Sequence, residues 1–66
     1  MNLKEFIRDN PNRKLVLLWF DDENDTLMQE YCKSSRLSKQ AKQMLDMEVM
    51  ETEEFEDEDL IEVWLR

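Results

Sequence analysis

The longest apolar run in the chain lies within Lys14 to Phe20 (KLVLLWF), and the rest of the sequence has to fold around it. The run is too short for a buried helix and is rich in strand formers. Asn10-Pro11-Asn12 makes a turn before it and the acidic DDEND follows, so it reads as a central strand covered on both faces. Sixty-six residues leave room for one core and one domain, residues 1–66. A chain of this size buries only roughly 60% of the surface its unfolded form exposes, so its stability should be marginal.

The flanking segments supply short elements. Asn2 can cap a helix, Glu5 completes the capping box, and Leu3, Phe6 and Ile7 then share one face. Pro11 ends that helix. Asp21 to Asp25 is a polar turn. The chain has no glycine, so a positive φ there must fall on Asn24 or an aspartate, which tolerate it best. Thr26 to Lys33 fits a returning hairpin strand, and also a helix capped by Thr26 with Leu27, Met28 and Tyr31 on one side; the strand is preferred. Ser38 can cap a second short helix, amphipathic through Leu37, Ala41, Met44 and Leu45. Met47 and Val49 alternate with Asp46 and Glu48, as in a strand with one wet face. Leu60 to Arg66 closes the chain as a strand, with Ile61, Val63 and Leu65 on one face and Leu60 and Trp64 on the other. The expected fold is α+β, in the order α-β-β-α-β-β: a small antiparallel sheet of three to four strands with two short helices. Trp19 and Trp64, near two strand ends, are expected to stack as a cross-strand pair, in preference to one of them standing exposed as an interface anchor.

Charge narrows the function. Seventeen acidic and nine basic residues give a net charge of −8, which argues against direct binding to nucleic acid or an anionic membrane and favours a basic partner. No apolar run approaches the ~20 residues needed to span a bilayer, and the N-terminus has no signal-peptide pattern. The single cysteine, Cys32, forms no disulfide within the chain and fits a reducing, cytoplasmic setting.

The acids concentrate in two places, Asp21 to Asp25 and Glu48 to Asp59, the latter holding eight carboxylates in twelve residues. The first fails as a calcium loop. Asp21, Glu23 and Asp25 occupy ligand positions, but Thr26 stands where such a loop needs glycine and Cys32 where it needs glutamate. No histidine is present, so neither a zinc site nor a base for Cys32 is expected. Paired carboxylates need a pocket that separates their pKa values, which so small a chain can hardly enclose. No catalytic residue, metal or cofactor is expected. Met28, Met44, Met47 and Met50 read as core lining before they read as an adaptable binding surface.

Several pieces taken together resemble short acidic proteins encoded by phages and mobile elements of Gram-positive bacteria. They are Met1-Asn2-Leu3-Lys4-Glu5-Phe6, the apolar stretch from Leu15 ending in acids at Asp22, Leu45-Asp46-Met47-Glu48-Val49, and Ile61 to Leu65. The resemblance implies a hairpin over residues 14–33 and a mobile-element origin; it implies no active site. Glu48 to Asp59 then has two readings. In one it is a solvated connection whose acids serve solubility and block edge pairing, its field partly neutralised by the basic segment Lys33 to Lys42. In the other, Asp21, Asp22, Glu23, Asp25, Glu51, Glu53, Glu54, Glu56, Asp57, Glu58 and Asp59 imitate the phosphates of a duplex, spaced by ~1.7 Å along its axis. Such a surface would occupy the basic groove of a nucleic-acid-binding protein. The expectation is a non-enzymatic inhibitor of a host restriction or CRISPR nuclease; the alternative is a structural or regulatory homodimer.

Overall fold

The computed structural model describes residues 1–66 and shows a four-stranded sheet with both helices on one face. The elements in chain order are α1 (Leu3–Asp9), β1 (Lys14–Asp21), β2 (Thr26–Lys33), α2 (Lys39–Lys42), β3 (Val49–Phe55), a 3-10 turn (Glu56–Glu58) and β4 (Leu60–Leu65). The order thus differs from the expected one by the added 3-10 turn. Residues 26–33 are a strand, as preferred, and pair antiparallel with β1 from Lys14↔Lys33 to Asp21↔Thr26.

The all-antiparallel expectation is wrong. The sheet order is β2-β1-β4-β3, and β4 lies parallel to β1, with Leu15 opposite Ile61 and Leu17 opposite Val63. Residues between β1 and β4 form a long crossover, which parallel neighbours require. Placing β4 inside the sheet buries both of the most apolar strands at its centre and leaves the polar β2 and acidic β3 as edges.

Local chemistry sets the boundaries. Asn2 and Glu5 form the full capping box, each side chain 2.9 Å from the other residue's backbone nitrogen. The Ser38 hydroxyl accepts from Ala41 N–H, but α2 is a single turn, because the chain goes on through turns to Met47. With glycine absent, Asn12, Asp25 and Asp59 take the left-handed backbone positions.

The core lies between the helices and one face of the sheet. Leu15, Leu17, Ile61, Val63 and Leu65 pack against Leu3, Phe6, Ala41 and Met44, with Trp19, Cys32, Met47 and Val49 partly buried around them. The other face has no helix on it. Val16 and Leu18 are buried there by neighbouring side chains of the same sheet, so β1 is central but layered over on one face only. Trp19 shares the helix-covered face and Trp64, in register with Leu18, the open one. The expected tryptophan stack therefore does not form; parallel pairing sets the two rings on opposite faces.

Candidate functional site

The acidic stretch forms an ordered edge. Residues 49–55 are strand β3, hydrogen-bonded to β4 through Glu51↔Trp64, Thr52↔Val63, Glu53↔Glu62, Glu54↔Ile61 and Phe55↔Leu60, with an irregularity at Met50. The reading as a loose connection between strands is therefore corrected: a β-strand and a one-turn 3-10 helix fix the backbone beneath the charges. Alternation along β3 sends Glu51 and Glu53 to the open face and Glu54 toward the helix-covered side. Glu56, Asp57 and Glu58 project from the turn, and with Glu54 and Phe55 they line a shallow depression. Asp59, in the left-handed conformation, closes the turn back to Glu56.

One cation is built into this edge. Arg13 places Nη2 3.4 Å from Glu54 Oε1 and Nε 3.7 Å from Asp59 Oδ1, and its backbone N–H donates to the Ser34 hydroxyl at 2.7 Å. Its Nε is buried and makes no hydrogen bond. Glu48 pairs with the Met1 amino group at 2.9 Å. Glu51, Glu53, Glu56, Asp57 and Glu58 have no cation within 4.0 Å. The basic residues of α2, Lys39 and Lys42, sit beside β2, across the sheet from β3, so the basic segment does not neutralise the acidic edge. Arg13 does so locally, a pairing with no signal in local sequence.

The second acidic group stands apart. Asp21, Asp22, Glu23 and Asp25 form the β1–β2 turn, where β1 ends, whereas the 3-10 turn lies where β4 begins. Because β1 and β4 run parallel, these turns occupy opposite ends of the sheet, on diagonal corners. Eight residues of β1 separate those ends by roughly 25 Å. The β1–β2 turn is held by its own bonds. Asp21 accepts from Glu23 N–H at 3.1 Å and from the Asn24 amide at 2.8 Å, and chiefly the Asn24 bond holds the Asp21 carboxyl below its ordinary 3.8. The structure thus groups Glu51, Glu53, Glu54, Glu56, Asp57, Glu58 and Asp59, and leaves Asp21, Asp22, Glu23 and Asp25 outside that group.

No three acidic or cysteine side chains converge as metal ligands would. Cys32 is half-buried against the core, and burial pushes its thiol pKa up, opposite to what a nucleophile requires. No helix is long and apolar enough to cross a membrane. Sequence reasoning missed the open sheet face, where Phe20, Leu27 and Tyr31 are 53%, 52% and 66% exposed; only strand order reveals it. Neither family models, curated proteins nor solved structures give a match to this chain.

Proposed function

We propose that the chain is a non-enzymatic binding protein that occupies the basic, nucleic-acid-binding surface of a partner through β3 and the 3-10 turn that follows it. The observation that carries this reading is the run of carboxylates on a hydrogen-bonded edge strand and turn, most of them without a cation partner. A fixed backbone presents charge at fixed spacing, and adjacent carboxylates on one face of a strand repeat at about 6.6 Å. That is close to two nucleotide steps along one strand of a duplex, at about 3.4 Å each. Resemblance to short acidic proteins of phages and mobile elements makes host restriction and CRISPR nucleases the first partners to test.

The direct experiment measures inhibition of a panel of purified restriction endonucleases and CRISPR effector nucleases, with duplex DNA as competitor. The expected result is inhibition of at least one, relieved by excess DNA and by Glu51→Gln, Glu53→Gln, Glu56→Gln and Asp57→Asn combined. Inhibition that survives this combination in a folded chain would refute the mimic.

A second reading, a homodimer with a structural or regulatory role, is favoured by the exposed Leu27, Phe20 and Tyr31 near edge strand β2. It predicts a dimer mass by sedimentation that does not depend on salt.

A further inference from the structure

The face of the sheet opposite the helices carries an ordered pattern. Reading across β2, β1, β4 and β3, one row is Gln29, Leu18, Trp64 and Glu51, the next Tyr31, Val16, Glu62 and Glu53, and the next Lys33, Lys14, Leu60 and Phe55. Leu27 and Phe20 form the end of the face beyond Leu18. The centre is apolar and aromatic, the flank over β3 is acidic, and the cations are Lys14 and Lys33 at one corner and Arg66, beside Phe20, at the opposite end.

Two features of this face are unfavourable in the isolated chain. Large apolar groups stand in water, and Glu53 lies directly opposite Glu62, where like charges destabilise a sheet. Glu51, Glu53 and Glu62 have no cation within 4.0 Å. Both unfavourable features would be relieved by one kind of neighbour. We propose that the open face seats a partner's amphipathic helix, whose apolar stripe lies over Phe20, Leu27, Tyr31 and Trp64 and whose Lys or Arg flank lies over Glu51, Glu53 and Glu62. This deepens the reading of β3 as a partner contact and rests on it for the sign of the partner's charge.

The dimensions agree. The outer strands of a four-stranded sheet are about 14 Å apart, and a helix of 10–12 residues is roughly 15–18 Å long. A sheet with apolar residues on both faces is covered on both in stable layered folds; here the second layer comes from the partner. A second copy of the chain is a poorer occupant, since each copy brings a net charge of −8. The consequence is a bimodal contact: the acidic flank supplies salt-sensitive attraction and the aromatic centre a component that salt does not screen.

The test uses a synthetic helical peptide of about 15 residues, roughly 22 Å long, with a Leu/Ile stripe and a Lys/Arg flank. It is titrated calorimetrically into the unmodified chain, and by fluorescence into W19F, in which Trp64 is the only indole. Saturable binding with a blue shift of Trp64 is expected. Replacing the peptide's cationic flank by Glu should weaken binding by about tenfold or more, as loss of close charge pairs does. L27S combined with Y31S, both at exposed positions, should weaken it by about tenfold at every salt concentration, the loss expected of aromatic anchors. E51Q, E53Q and E62Q together should weaken it at low salt and flatten its salt dependence. Equal affinity for the two peptides, indifference to L27S/Y31S, or self-association that excludes the peptide would each overturn the proposal. If the nuclease inhibition described above is lost with the β3 variant while L27S/Y31S changes neither measurement, this inference fails and the acidic-edge reading stands.

Discussion

At the scale of single residues, this chain solves without glycine what most small folds solve with it. Asn12, Asp25 and Asp59 adopt φ of 57°, 51° and 52°, and each is Asn or Asp, whose short polar side chains make that region tolerable. Caps are equally local, which is why Asn2–Glu5 and Ser38 could be read directly from spacing. Asn2→Ala should cost about 1 kcal/mol, seen as a lower midpoint in urea with unchanged slope; an unchanged midpoint would contradict the capping role. Asp21 gives a pH prediction. Its folded pKa is depressed below 3.8 chiefly by the Asn24 amide, so the stability it adds is present above 3.8 and lost as pH falls through the folded value. Asn24→Ala should move the Asp21 titration up toward 3.8 in an NMR pH series, and an unmoved titration would show that this bond is not the cause. Arg13 shows the limit of reading residues singly. Its partners Glu54 and Asp59 arrive from the far end of the chain, and no spacing rule connects them.

At the scale of elements, β1 and β4 were legible because apolar and β-branched residues concentrate there, and α1 because a cap, a short apolar face and Pro11 bound it. β3 was not. VMETEEF lacks the alternation that marks a half-buried strand, since as an edge it buries almost nothing and is held by backbone bonds to β4. Strand order was equally hidden: hairpin logic pairs neighbours in sequence, whereas burying the two most apolar strands side by side puts β4 parallel to β1. The centre of the sheet should therefore dominate stability. Leu17 and Val63 are fully buried and face each other; Leu17→Ala should cost about 2–5 kcal/mol. A 66-residue domain holds only about 3–10 kcal/mol in total, so loss of the cooperative unfolding transition is the expected outcome. Glu53→Lys should do the reverse, replacing a like-charge pair with Glu62 by an opposite one and adding about 0.2–1 kcal/mol. A thermal midpoint that falls would mean the two carboxylates do not oppose each other.

At the scale of the whole molecule, the basic segment is held away from β3. Lys33, Lys39 and Lys42 lie at the β2 edge, whose far corner carries Asp21, Asp22, Glu23 and Asp25, while β3 at the other edge keeps Glu51 and Glu53 without a cation partner, in a molecule of net charge −8. The net negative charge was legible from composition; the division of the acids into two remote groups and the apolar open face required the fold. The β3 edge is proposed to take the place of nucleic acid on a partner protein. The most direct test is the affinity of the chain for a nuclease it inhibits, measured across a salt series with and without duplex DNA. Affinity is expected to fall by about tenfold or more from 50 to 200 mM salt, with mutual exclusion of chain and DNA. Simultaneous binding of both, or affinity indifferent to salt, would contradict it.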